Sequence, residues 1–332
     1  MSDPGRSDVL FKLSNVHKHF QQGRWLRWSA GRTPVRAVDG ISFEIRRNET
    51  MSLVGESGCG KTTTARMILL LESQTAGTIT FRGREIATLR GEALREYRAS
   101  VQAVFQDPWS SLNPRHNARA IIGEPLVINR GMSGADLAET VDTLLTAVGL
   151  NVAVANYMPH ELSGGMRQRL AIARAISLDP SAVVLDEPVS ALDVSVRAQI
   201  MNLLKDLQER LGVAYLLIAH NMATVRYLSH RMAVMYVGRI VEAGASEDLF
   251  TAPLHPYTQA LISAAAVNHP GSTQDQIILS GDIPSPANPP PGCRFHPRCP
   301  KAFGRCSGEV PQLQEMAPGH FVACHLYRNP SS

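Results

Sequence analysis

The sequence predicts an α/β fold, with a sheet of largely parallel strands, an inserted helical subdomain and a loop-rich C-terminal extension. Three observations carry this. Short apolar or alternating segments take turns with segments of helical period, the pattern of strand–helix–strand units. A glycine-rich turn at residues 55–62 joins a strand to a helix. The texture also changes twice, becoming helical between about 110 and 178 and proline-rich from about 283. A chain of 332 residues has room for about two domains and can bury a core without disulfide staples.

Residues 9–20 read as a strand ending in Lys18-His19-Phe20. Residues 21–33 show no period and read as a long loop. Its Trp25 and Trp28, among Arg24, Arg27 and Arg32, suit a nucleic acid or a membrane surface, or simply an exposed loop. Residues 41–45 alternate as a strand, and 51–54 form an apolar strand running into the glycine turn. A helix is expected over 61–71, with two more over 133–148 and 163–177. Residues 182–185 are again strand-like. After them Val196, Ile200, Leu203, Leu204, Leu207 and Leu211 fall on one helical face. Apolar strands are expected at 213–218, 232–236 and 239–242. Residues 283–292, Ile-Pro-Ser-Pro-Ala-Asn-Pro-Pro-Pro-Gly, form a linker expected to be extended. No internal repeat is visible.

Composition narrows the function. With 44% hydrophobic and 19% charged residues, bulk disorder is excluded. The net charge, 33 − 29 = +4, is too small to argue for nucleic acid. No apolar run approaches the roughly 18 residues of a membrane span, and the first residues lack the apolar centre of a signal peptide. A cytoplasmic protein that does not insert itself is expected.

Gly55-Glu56-Ser57-Gly58-Cys59-Gly60-Lys61-Thr62 fits G-x-x-x-x-G-K-S/T between a strand and a helix. The glycines let successive N–H groups converge on one centre, and the helix start adds its dipole. Lys61 brings charge to the β/γ-phosphates, the Thr62 hydroxyl suits Mg²⁺, and Thr63 offers another hydroxyl. Cys59 reads as a small filler. Residues 182–187, Ala-Val-Val-Leu-Asp-Glu, are an apolar strand ending in two carboxylates, at the strand end where ligands of α/β sheets sit. Asp186 suits the Mg²⁺ shell, and Glu187 suits polarising a water for in-line attack on the γ-phosphate. These motifs describe a P-loop nucleotide triphosphatase (RecA-like).

Further segments carry a closer resemblance. Leu162-Ser163-Gly164-Gly165-Met166-Arg167-Gln168 resembles the signature of ATP-binding-cassette (ABC) ATPases, with a second anion-binding helix start. Phe105-Gln106-Asp107-Pro108 resembles the Q-loop, Ser190-Ala191-Leu192-Asp193 the D-loop, and Ile218-Ala219-His220 the switch histidine. Phe20 occupies the place of the adenine-stacking aromatic, where Trp25 and Trp28 compete with it. Residues 37–40, 104–115 and His255-Pro256-Tyr257-Thr258, with 281–286 and 292–300, resemble the ATP-binding subunits of oligopeptide/dipeptide importers. The Q-loop and tail are more like the "F" subunit than the "D" subunit. Met166 departs from the commonest signature, which has Gln, while Ser163 and Gly165 are kept.

The resemblance implies an ABC cassette over residues 9–255, with a helical subdomain at about 110–178, and a C-terminal extension over 256–332. It implies that ATP and Mg²⁺ bind through Phe20, residues 55–63, Gln106, Asp186 and Asp193. Ser163, Gly164 and Gly165 would serve the ATP of a partner. Lys61, Gln106, Glu187 and His220 would carry hydrolysis, with Thr62, Gln106 and Asp186 about the metal. The implied partners are a second ABC ATPase, in a heterodimer or a homodimer, two integral membrane permease subunits and, indirectly, an extracytoplasmic solute-binding protein. The implied place is peripheral, on the cytoplasmic face of the inner membrane. Other solutes, such as nickel or glutathione, share this branch. A soluble ABC protein outside transport remains a separate reading, although such proteins usually show tandem cassettes or a long coiled coil.

Four cysteines, Cys293, Cys299, Cys306 and Cys324, crowd the tail with spacing C-x5-C-x6-C-x17-C. That is neither a zinc-ribbon spacing nor the tight ferredoxin run. In a reducing compartment it points away from disulfides. An iron–sulfur cluster, zinc, or plain partly buried thiols all fit. The resemblance adds a [4Fe-4S] cluster as a known occupant in some relatives.

Overall fold

The computed structural model describes residues 8–21, 34–266 and 277–327. It divides into two compact units, Met1–Thr88 with Ile218–Ser332, and Leu89–Leu217. The loop with Trp25 and Trp28 lies outside the described residues.

The first unit opens with β1 (Val9–Phe20), antiparallel to β2 (Val35–Arg46), with Leu13 opposite Phe43 and Val16 opposite Ile41. The alternation had marked only 41–45. The strand is longer because residues 35–39 pair with 17–20 through backbone bonds, although Arg36 and Asp39 interrupt the apolar pattern. β3 (Thr50–Val54) is buried at every position, as a strand covered on both faces must be. α1 (Lys61–Ile68) stops short of the expected residue 71. Leu70 turns left-handed at φ 55°, and the Leu71 N–H bonds back to Arg66 at 2.9 Å, a typical helix-ending geometry. β4 (Ala76–Phe81) and β5 (Arg84–Glu85), both missed in the sequence, complete a sheet of order β2-β1-β4-β5.

The second unit contains α2 (Gly91–Ser100), β6 (Val101–Val104) and α3 (Pro108–Ser111), then α4 (Ala118–Arg130), α5 (Gly134–Ala147) and α6 (Gly164–Ile176). Asn117 caps α4 by accepting from the Ala120 N–H, and Ser163 caps α6 by accepting from the Met166 N–H. β7 (Ala182–Asp186) runs parallel to β6, with Val104 opposite Leu185. α7 (Val194–Leu211) buries Ile200, Leu203, Leu204 and Leu207 as the spacing demands. Leu211 does not follow them and is 44% exposed, because Gly212 ends the helix there in a left-handed turn, φ 64°. β8 (Ala214–Ala219) carries the chain back toward the first unit.

There follow α8 (Met222–Leu228), β9 (Arg231–Tyr236), β10 (Arg239–Ala245), α9 (Ser246–Thr251), α10 (Pro256–Ala266), α11 (Gly304–Gly308), β11 (Gln314–Ala317) and β12 (His320–Val322). β9 is parallel to β3, with Leu53 opposite Ala233. β10 departs from the parallel pattern and is antiparallel to β9. A two-residue turn permits nothing else, and Val237 and Gly238 both take positive φ, 41° and 80°, as a hairpin turn of this hand requires. The tail is not wholly loop. β12 pairs with β10 through Glu242 opposite Val322, and β11 pairs with β12.

Candidate functional site

In the first unit, β3 delivers the chain into the loop of residues 55–60 and α1 takes it away. Two glycines are dictated by close packing. A Cβ on Gly55 (φ 148°) would lie 2.2 Å from the Met235 carbonyl oxygen, and one on Gly60 (φ 112°) 2.3 Å from that of Ala37. Ser57, Gly58 and Thr62 are exposed, Thr63 is half-buried, and Lys61 is buried. The Lys61 ammonium donates to the Gly55 carbonyl at 2.7 Å and the Glu56 carbonyl at 2.9 Å. The buried Cys59 thiol, 3.6 Å from that ammonium, is pushed up by its burial. The hairpin turn braces the loop from below, where the Gly238 N–H donates to the Cys59 carbonyl at 2.9 Å. His220 lies in this unit, exposed, immediately after β8. Asn221 follows it and caps α8 by accepting from Ala223 and Thr224. Phe20 closes β1, 37% exposed, with the Lys18 ammonium 4.7 Å from its ring centre.

In the second unit, the parallel register of β6 and β7 brings their carboxyl ends level. Gln106 and Glu187 therefore meet, with Gln106 Nε2 donating to Glu187 Oε2 at 2.8 Å. Asp186 is the last residue of β7. Glu187 takes a left-handed backbone, φ 48°, which costs a non-glycine residue energy and recurs at functional turns. Its carbonyl accepts from the Ser190 N–H at 3.2 Å and the Ser190 hydroxyl at 3.1 Å, which closes the turn leading to Asp193. Asp193 stands exposed at the start of α7. Ser163 is exposed at the start of α6, with Gly164 and Gly165 in its first turn. Arg167 donates to the Leu162 carbonyl at 2.8 Å and lies over the Trp109 ring at 4.7 Å, which fixes the approach to that helix start.

The ABC transporter family matches residues 38–190, and the oligopeptide/dipeptide transporter C-terminal region matches residues 241–306. The oligopeptide transport ATP-binding protein AppF of Bacillus subtilis is 46% identical over 325 residues, covering 96% of this chain and 98% of its own. The chain belongs to the oligopeptide/dipeptide branch of the ABC transporter ATP-binding proteins. A Sinorhizobium fredii relative named "Probable peptide ABC transporter ATP-binding protein y4tS" is 49% identical, covering 96% of this chain and 90% of its own. Among solved structures, the dimeric cassette MJ0796, bound to ADP and Pi after hydrolysis, superposes with a TM-score of 0.63 at 29% identity. It covers 71% of this chain and 99% of its own. This ABC protein is thus an ATPase that uses ATP with Mg²⁺, and ATPases of this family work as dimers with membrane permease components. Among its described residues no helix is long and apolar enough to cross a membrane.

Sequence reasoning missed how the C-terminal extension of this ABC protein meets the phosphate loop. Arg298 donates to both carboxylate oxygens of Glu56, at 2.6 and 3.0 Å. Tyr257 accepts from the Glu56 N–H at 2.8 Å. Arg294 bonds the Val237 carbonyl and Asp39. Burial alone would raise the Asp39 carboxyl, but Arg294 and Arg239 outweigh it and hold it well below the usual carboxylate range. The available signal was the His-Pro-Tyr-Thr segment and the arginines flanking Phe295. The sequence alone marks them as features of a branch and shows no contact to explain them.

Proposed function

We propose that this chain is the ATP-hydrolysing subunit of an importer that carries di- or oligopeptides across the cytoplasmic membrane. The observation that carries the reading is the joint match to the cassette and to the oligopeptide/dipeptide C-terminal region, together with near full-length relatives named for peptide transport. The cassette spans residues 9–255 and the extension 256–332. A second cassette, in a heterodimer, supplies the opposing signature. Two permease subunits form the path, and an extracytoplasmic binding protein delivers the solute. The subunit sits peripherally on the cytoplasmic face of the inner membrane.

The residue roles follow from chemistry. The loop amides and Lys61 bind phosphate, and Phe20 stacks on the base. Thr62, Gln106 and Asp186 offer the hard oxygen donors that Mg²⁺ takes. When bound, the ion neutralises phosphate charge. Glu187 accepts a proton from the attacking water, which Gln106 helps to orient, and His220 donates to the γ-phosphate. Ser163, Gly164 and Gly165 serve the partner's nucleotide, and Asp193 contributes to binding the chain's own.

The test is to co-purify the chain with its permease and partner ATPase in lipid vesicles, add solute-loaded binding protein, and measure phosphate release. Stimulation by a peptide is expected. Stimulation by nickel or glutathione alone would replace the peptide, and none by any solute would remove the importer.

The cysteine quartet suits a structural [4Fe-4S] cluster held by Cys293, Cys299, Cys306 and Cys324, which would pin the extension when bound. The Cys324 thiol lies near enough to Cys293, Cys299 and Cys306 to feel their charge. Yet the quartet is not a group gathered within 4.8 Å, as His17, His19 and Asp39 are among the described residues. Zinc, with sulfurs at about 2.3 Å from one ion, calls for a tighter gathering. Burial pushes the Cys324 thiol up to about 11, so without a metal that thiol stays protonated at neutral pH. Anaerobically purified protein is expected to contain iron and a visible charge-transfer band. Absence of both would overturn this.

A further inference from the structure

We propose that Arg298, on the cysteine-rich extension, is a positioning residue for ATP, acting through Glu56 of the phosphate loop. The inference rests on the reading that residues 55–62 hold the nucleotide's phosphates.

Three polar groups of Glu56 are held at once. Its N–H donates to the Tyr257 hydroxyl at 2.8 Å, its carbonyl accepts from Lys61 at 2.9 Å, and its carboxylate takes both arms of Arg298. Two of these three holds come from the extension. Arg298 is itself fixed. Its side chain is 7% exposed, and Nη1 lies 3.4 Å from the Tyr236 hydroxyl. Tyr236 stacks edge-on against Tyr257 at 4.7 Å and against Phe295 at 5.2 Å.

The physical need is plain. A carboxylate in a loop that receives a polyanion repels it, and in a poorly hydrated setting that repulsion is strong. A bidentate guanidinium cancels the charge and also fixes the direction of the side chain. Held in this way, Glu56 lets the loop offer its amides and Lys61 to phosphate. Arg298 immediately precedes Cys299, so this grip is set by the part of the extension that carries the cysteines.

The experiment uses the full-length chain and measures MgATP affinity and ATPase kinetics for Arg298→Gln, Arg298→Lys, Glu56→Gln and the double variant Glu56→Gln/Arg298→Gln. Thermal melting checks that each is folded. Arg298→Gln is expected to weaken ATP binding about tenfold, a loss of roughly 1.4 kcal/mol, and to raise KM far more than it lowers kcat. Arg298→Lys, with the charge but without the fork, should recover part of the loss. In the Glu56→Gln background, Arg298→Gln should cost little, because the charge it neutralises is gone. An equal loss in both backgrounds, or unchanged affinity in folded Arg298→Gln, would overturn the proposal. If Arg298→Gln does not fold, the same cycle with Arg298→Lys decides. Lys61→Ala serves as a separate control. If it binds ATP normally, the reading of the loop falls, and if it loses ATP while Arg298→Gln does not, only the role of Arg298 falls.

Discussion

Glu56, in the phosphate loop, has both carboxylate oxygens engaged by a guanidinium, whereas Glu187, after β7, accepts from the neutral amide of Gln106. The settings differ as much as the partners. Arg298 is buried, while Gln106 is exposed on the loop that leaves β6. Glu187 also sits on a strained left-handed backbone. A charge that would oppose phosphate binding is cancelled and immobilised. The carboxylate proposed to take a proton from water accepts a hydrogen bond from a neutral donor. The two glutamates are held in opposite ways, one by a charged fork and one by a neutral amide.

The largest effect should come from breaking the second arrangement. Glu187→Gln keeps the size and the hydrogen-bonding capacity toward Gln106 but removes the base. Hydrolysis is expected to fall about 10²–10⁴-fold, while ATP binding and ATP-dependent dimerisation persist. Phosphate release and nucleotide binding measured on one preparation separate the two. Turnover within about tenfold of the unsubstituted protein would mean that Glu187 is not the base and that the contrast with Glu56 has no catalytic content.

Much of the second arrangement could be read from sequence, and little of the first. The motifs mark Gln106 and Glu187, and Glu187 follows a strand that the apolar run predicts. β6, which delivers Gln106, is not expected from the pattern, but its parallel register with β7 places their ends together. The meeting of Glu56 with Arg298 spans 242 positions and depends on where a loop-rich tail folds back. No periodicity encodes that. β2 shows the same limit on a smaller scale, because its first residues are extended by backbone pairing with β1 while their side chains break the alternation. β10 and β12 show it as well. The hairpin turn at Val237-Gly238 was short enough to forbid a parallel return, but the pairing of Glu242 with Val322 could not be inferred from a segment without strand pattern.

A pH experiment sharpens the comparison from beneath the loop. His255 is wholly buried, and desolvation pushes it down from 6.5 to about 3. Its Nδ1 accepts from the Tyr257 N–H at 3.1 Å, and its backbone N–H donates to Glu242, which also takes a hydrogen bond from His320. Protonating Nδ1 would set one donor against another. Between pH 6.5 and 3 the unfolded chain binds a proton that the folded chain does not. The stabilisation is therefore complete above about 6.5 and lost as pH falls toward 3, at about 1.4 kcal/mol per unit. From pH 6.5 to 5 the loss is about 2 kcal/mol. Melting curves over that range should show the slope, and His255→Asn, which keeps an acceptor for the Tyr257 N–H, should flatten it. An unchanged slope in the variant would assign it elsewhere. Since folded His255 stays neutral at pH 5, the Tyr257 hold on Glu56 persists there, and ATP affinity should fall no more in the unsubstituted chain than in His255→Asn.

The smallest expected effect belongs to Cys59, inside the loop itself. Its thiol is 4% exposed, and burial keeps it protonated. A Cβ on Gly55 would reach within 2.9 Å of its sulfur, so the loop is wrapped around it. If the phosphate loop owed its shape to what it encloses, Cys59→Ala would collapse it. The loop is instead fixed by backbone contacts to the hairpin turn and by the Arg298 and Tyr257 grip on Glu56. Removing one sulfur then costs about 1 kcal/mol of stability and changes ATP affinity by less than about twofold. Calorimetric titration with MgATP reads the difference directly. A loss beyond tenfold would make the enclosed side chain the determinant of loop shape, and would move the origin of the Glu56 arrangement from the extension into the loop.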